Sequence, residues 1–216
     1  MDYIYRMIIG SAIKHHEGGR MMMKKVCLGM FMAVLMLAAV MTAPVCHAKT
    51  TAKNWYKQEL KKTAGTYKYG KNKINRKDYK YYTLTDINQD GVKELILSTR
   101  KGDSLIADDR AVVLRYYKGK VKAVLAVDCY HVTWFYGNKE SKSLAVLTTG
   151  SDGSITPVYN LKNGKLKKRT TFTVDHHTDG VYFKGKKTLS RERFYELTGK
   201  YGIDDKACLL HFKKIS

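Results

Sequence analysis

The chain has 216 residues, with 40 Lys and Arg against 19 Asp and Glu and a formal charge of +21. Residues 1–48 hold five basic and two acidic side chains, which leaves 35 against 17 on the remainder, enough chain for one ordinary domain with a sizeable core and no low-complexity tract. Such a balance predicts attraction to polyanions, but Lys outweighs Arg and no nucleic-acid-binding motif is visible, which argues against specific nucleic-acid recognition.

Met21-Met22-Met23-Lys24-Lys25 opens a positively charged segment, and Val26 to Val45 is apolar almost throughout. Cys46 and Ala48 stand at the −3 and −1 positions of a cleavage site, so residues 21–48 are expected to be a secretory signal peptide. The run is also long enough to span a bilayer, which keeps an uncleaved anchor open. Residues 1–20 do not belong to this pattern. Glu17-Gly18-Gly19-Arg20 is what a purine-rich ribosome-binding site looks like when translated, and the expectation is that the true start lies at the methionines after it.

Residues 49–78 are expected to hold an N-terminal helix and a basic connector. Thr51 to Ala64 carries Trp55, Tyr56 and Leu60 on or near one face, and Gly65 stops it. Thr66 to Asp78 reads as the connector. A β-rich calcium-loop domain is expected over 79–216. Tyr79 to Thr85 and Leu95 to Thr99 read as strands around an acidic loop. The run Ala111–Tyr117, the turn Lys118-Gly119-Lys120 and the run Val121–Val127 make a hairpin. Further strands are expected at 130–136, 143–148, 155–161, 165–174 and 181–183, with Asn163-Gly164 as a two-residue hairpin turn. Ser190 starts a late helix that Gly199 ends, and Cys208–Phe212 reads as a final strand. The expected class is α+β and strand-dominated: an antiparallel β-meander, an incomplete propeller-like sheet being one form of it, with one helix early and one late.

The run from Asp86 to Glu94 carries the one specific chemistry. Oxygen donors alternate at Asp86, Asn88 and Asp90, Gly91 permits a sharp turn, the Val92 carbonyl adds a backbone oxygen and Glu94 closes the set. Ca²⁺ is a hard cation that takes six to eight oxygen ligands. An EF-hand would need Glu at position 12 and a helix on each side; position 12 here is Leu97 and the flanks are strands. The alternative without an ion is an Asx-rich hairpin turn. The D-x-N-x-D-G-x-x-E-L pattern between strands resembles the calcium loops of FG-GAP and VCBS-type repeats of integrin-like β-propellers. The wider stretch Tyr82–Leu97 resembles small secreted proteins of Gram-positive bacteria, in which a helix precedes the loop and hairpins and a late helix follow. A propeller would repeat the loop blade after blade, and this chain has one clear copy.

Other constellations carry weaker chemistry. Asp175-His176-His177-Thr178-Asp179 offers imidazole and carboxylate donors, although Zn²⁺ usually takes three or four well-spaced protein ligands. Cys129 and His131 lie two apart on a strand, a packed pair unless something orients the imidazole. Glu192 and Glu196 are helical neighbours on what reads as a solvated face. An exported Cys129 and Cys208 are free to bridge, or to remain two thiols. The functional expectation is a secreted, non-catalytic Ca²⁺-binding domain with a basic surface, in a binding or structural role at the cell envelope. Its partners would be Ca²⁺ and an anionic cell-wall polymer, protein or glycan. The alternatives are an envelope hydrolase and an adhesin- or inhibitor-like module.

Overall fold

Tight turns set most of the strand ends. A computed structural model describes residues 55–177 and 180–216. The signal segment 21–48, the preceding 1–20, the first residues of the expected helix, and Thr178 and Asp179 lie outside the described residues. Helix α1 covers 55–61, and strands β1 (Thr66–Tyr69) and β2 (Asn72–Asn75) form a hairpin of their own. Then come β3 (Tyr81–Thr85), β4 (Glu94–Ser98), β5 (Ser104–Leu105), β6 (Arg110–Tyr117) and β7 (Lys120–Asp128). β8 (Val132–Asn138), β9 (Ser143–Thr149), β10 (Gly153–Lys162), β11 (Lys165–Asp175), β12 (Val181–Lys184) and β13 (Lys187–Leu189) follow. Helix α2 (Arg191–Gly199) and the short β14 (Lys213–Lys214) complete the order.

Apart from that hairpin, the strands divide between two antiparallel sheets. One has five strands in the order β14-β3-β4-β6-β7, and the other seven in the order β13-β12-β11-β10-β9-β8-β5. Lys118-Gly119 and Asn163-Gly164 take positive φ at both central positions (50° and 77°, 52° and 70°), the turn whose twist matches that of the strands it joins. The expected strand-dominated α+β class, with one early and one late helix, is the one that forms, its meander split over two sheets.

Each sheet face has an apolar cover. Ile96, Val113 and Leu125 meet Phe135, Leu144 and Val146 between the sheets, with Ile87 and Phe212 in the same cluster. The Phe135 and Phe212 rings meet edge to face at 5.8 Å. On the far side of the five-stranded sheet, Leu95, Leu97, Val112 and Leu114 pack under Tyr56 of α1 and Ile74 of β2. On the far side of the other, Ala145, Val158 and Phe172 pack under Phe194 of α2, Tyr201 and Ile203. Strand β4 is buried along its whole length because successive residues face different clusters, which is why it reads as an unbroken apolar run. The Ser190 hydroxyl accepts from the Arg193 N–H and caps α2 as its position predicts.

Several segments differ from expectation, the short strands β5 and β14 among them. The basic connector is in part the β1–β2 hairpin, because Tyr67, paired opposite Ile74, packs with it against the α1 side of the sheet. Cys208–Phe212 is not a strand. It makes two isolated bridges, Phe212 to Gly102 and Leu209 to Tyr136, since its apolar side chains plug two clusters instead of lining one face. Residues 187–189 are a strand, β13, and no strand was expected there. Cys129 and Cys208, the two cysteines among the described residues, are free thiols. Cys208 lies beside Asn138 at the end of β8, whereas Cys129 precedes the start of that strand.

Gly164 is buried, and a Cβ there would meet the Tyr117 ring at 2.6 Å, whereas one on Gly119 would meet nothing within 4 Å. Gly164→Ala is therefore expected to cost about 2–4 kcal/mol, positive-φ strain plus overpacking, and Gly119→Ala about 1 kcal/mol of strain alone. Urea unfolding of the two variants measures the difference, and equal losses would mean that Tyr117 moves aside.

Candidate functional site

The acidic loop joins β3 to β4, closed at its base by the Thr85–Glu94 pair. Gln89 and Gly91 adopt positive φ (56° and 81°), and the surroundings of Gly91 are open, so the glycine serves backbone conformation and not packing. Asp86 folds the loop onto itself: Oδ1 accepts from the Asp90 N–H (3.2 Å) and Oδ2 from the Gly91 N–H (3.0 Å). Asp90 Oδ1 accepts from the Val92 N–H at 2.9 Å. Ile87, 1% exposed, anchors the loop in the inter-sheet core, and its N–H donates to Glu94 Oε2 at 2.9 Å.

The remaining oxygens point at a residue outside the loop. Arg115 of β6, next to β4 in the sheet, donates from Nη1 to Glu94 Oε1 (2.5 Å) and from Nη2 to Asp90 Oδ2 (2.6 Å). Its Nη1 also lies 3.5 Å from Asn88 Oδ1, and the Asn88 amide donates to Asp90 Oδ2 at 3.0 Å. Glu94 is fully buried and the Arg115 side chain is 8% exposed. Three of the expected metal-ligating side chains thus converge on one cation position, and the cation in it is the chain's own guanidinium.

The electrostatics follow from that burial. Loss of water pushes the Glu94 carboxyl up to about 7, against the opposing pull of the Ile87 N–H and Arg115. Burial also acts to raise Asp90, but bonds from Asn88, Arg115 and the Val92 N–H outweigh it and hold that carboxyl below its ordinary value. Arg115 is held above its ordinary value: burial acts to lower it, and Asp90 and Glu94 overcome the effect. One guanidinium bonds two carboxylates, and the third, Asp86, is bonded to loop amides.

In kind, these donors suit a hard cation. In arrangement, Asp86 is turned onto two loop amides, and among the described residues no three His, Cys, Asp or Glu gather as a ligand set. A divalent ion at Asp90 and Glu94 would have to share or take the position of the guanidinium. Arg115 was not singled out by the sequence. The available signal was an arginine closing an apolar strand run, Ala111-Val112-Val113-Leu114, where a buried charge requires a partner.

Among the described residues the other constellations do not assemble. The His177 N–H donates to Asp175 Oδ1 (2.9 Å) and its Nε2 lies 3.2 Å from Asp152 Oδ1, on an exposed turn. His176 borders a different cleft from His177, so the two imidazoles do not share a ligand position. Burial pushes the Cys129 thiol up, away from a reactive thiolate, while the His131 ring packs over Gly150. Glu196 is paired with Arg193 and Lys200 on the exposed face of α2. Two clefts adjoin the seven-stranded sheet: one of about 520 Å³ lined by Trp134, Tyr136, Tyr182, Phe194, Tyr195 and Asp204, and one of about 730 Å³ around Tyr130, His131, Ile155 and Phe183.

No family model, curated protein or solved structure matches the chain.

Arg115→Met leaves Glu94 and Asp90 facing a buried apolar group. It is expected to cost about 3–5 kcal/mol in chelator-containing buffer, read from urea unfolding. Adding Glu94→Gln should restore most of the loss, because no uncompensated buried charge then remains at position 94. A double variant as unstable as the single one would mean that packing, not charge, carries the effect.

Proposed function

We propose that this chain is an exported, non-catalytic domain whose Asp86–Glu94 loop takes up Ca²⁺ and whose basic surface holds it at an anionic cell envelope. What carries the reading is the convergence of Asn88, Asp90 and Glu94 oxygens on one cation position, in a loop of three carboxylates of which the guanidinium bonds two. Asp86, Asn88, Asp90, the Val92 carbonyl and Glu94 would hold the ion. It would supply two positive charges where Arg115 supplies one. Export rests on the signal-like pattern of residues 21–48, and the loop pattern resembles the FG-GAP and VCBS calcium loops. An adhesin-like module is the second reading, favoured by the aromatic cleft around Trp134, Tyr182 and Tyr195, since aromatic faces with nearby hydroxyls suit a glycan ring.

Calcium at about a hundred times its dissociation constant should stabilise the fold by about 2.7 kcal/mol, several degrees in Tm for a domain of this size. Asp90→Ala should abolish the calcium-dependent part. Arg115→Met should gain more from calcium than the parent does, because ion and guanidinium compete for Asp90 and Glu94. A melting curve that chelator leaves unchanged, together with no heat of calcium uptake in titration calorimetry, would sink the reading.

A further inference from the structure

Three hairpins border one shallow cleft of about 350 Å³. It is lined by Tyr69 of β1, Tyr117 and Lys122 of the β6–β7 hairpin, and Asn163, Gly164 and Lys165 of the β10–β11 hairpin. Gly164 is pressed against the Tyr117 ring, so the tips of two hairpins are fixed against each other. The charge on these tips is of one sign. Residues 66–75 carry Lys68, Lys71 and Lys73; residues 117–124 carry Lys118, Lys120 and Lys122; residues 158–170 carry Lys162, Lys165, Lys167, Lys168 and Arg169. All eleven are exposed, Arg169 lying over the Tyr201 ring at 5.6 Å, and none of the three stretches contains an Asp or Glu.

Nearby carboxylates are already engaged. Glu59 accepts from the Tyr67 hydroxyl and is buried in an ion pair with Lys62, and Asp90 and Glu94 are bonded to Arg115. Among the described residues none of the eleven cations takes part in an ion pair: the pairs that form involve other side chains. Like charges held on adjoining hairpins repel one another, and a chain-like anion laid across them would relieve that repulsion.

We infer that the β1–β2, β6–β7 and β10–β11 tips form one docking surface for a linear phosphodiester polymer with polyol spacers. The inference rests on the reading of the chain as an exported envelope domain and adds the surface and the ligand chemistry. Ten of the eleven cations are lysines, point charges that bind phosphate without demanding a planar, bidentate partner. Single-stranded nucleic acid is the poorer occupant. Binding it would draw on free aromatic faces for base stacking, and the Tyr117 ring already has the Lys118 and Lys122 ammonium groups over it at 5.7 and 5.9 Å. A membrane surface is poorer too. Among the described residues the exposed large apolar side chains are Ile106, Tyr130, Ile155 and Tyr195, none of them on these tips, so the tips offer no wedge to enter the acyl boundary.

The test uses the full chain and two variants of equal net charge. One carries Lys118→Gln, Lys122→Gln, Lys165→Gln and Lys168→Gln on the tips. The other carries Lys57→Gln, Lys139→Gln, Lys186→Gln and Lys206→Gln elsewhere on the exposed surface. Binding of poly(glycerol phosphate) is measured at fixed ionic strength beside phosphatidylglycerol vesicles and a single-stranded oligonucleotide, each with calcium and with chelator. The tip variant should lose about tenfold or more in polymer affinity while the other stays within about twofold of the parent, with the melting temperatures of both variants unchanged. Equal losses in both variants would mean that net charge alone acts and would overturn the surface. Tighter binding to vesicles or oligonucleotide than to the polymer would overturn the ligand. Polymer binding that persists in chelator and in Asp90→Ala keeps this inference standing where calcium uptake fails; calcium uptake without polymer binding does the reverse.

Discussion

A carboxylate with no water around it, Glu94, and a guanidinium from the neighbouring strand, Arg115, hold the acidic loop to the sheet beneath it. Taking both ions out of water is costly, and their attraction offsets the cost only when geometry is close and the remaining polar atoms are bonded. Here the second Glu94 oxygen takes the Ile87 N–H and the second guanidinium nitrogen takes Asp90. The pair is thus a joint between elements more than a source of stability. It ties the β3–β4 connection to β6 and, through Ile87, to the inter-sheet core.

The loop gathers oxygens toward one guanidinium and carries more carboxylates than that guanidinium bonds. Asp86 spends both oxygens on loop amides, which organise the turn, while Asn88, Asp90 and Glu94 look inward to one positive group. A guanidinium and a divalent ion make similar demands on carboxylates but differ in charge and in the number of ligands they take. The proposed calcium function turns on that difference: with Arg115 alone, the loop retains more negative than positive charge.

Charge elsewhere is segregated by the same fold. Hairpin geometry brings three lysine-bearing stretches to the border of one cleft, which Lys122 and Lys165 line, while the carboxylates near them are buried or bonded to other partners. A strongly basic composition spread evenly would be a solvated surface. Collected on adjoining tips, it becomes a field with a location.

Much of this was written in local patterns. Alternation and turn chemistry at Lys118-Gly119 and Asn163-Gly164, the Ser190 cap and the unbroken run of β4 reveal strands, hairpins and the late helix, because these depend on neighbours in sequence. The Asp86–Glu94 donors were legible for the same reason. What the sequence did not disclose depends on contacts between distant residues. The lysines of 66–75 hid a hairpin whose one buried apolar side chain, Ile74, acquires meaning only against the sheet. Cys208–Phe212 looks like a strand but serves as a plug, since which face its apolar residues meet is decided by two sheets. Arg115 lies 21 residues beyond Glu94, and only the β4–β6 pairing brings a guanidinium to that carboxylate. Local sequence determined the loop and its oxygens; the tertiary structure decided which cation they face, because an ion pair between strands exists only once the strands have paired.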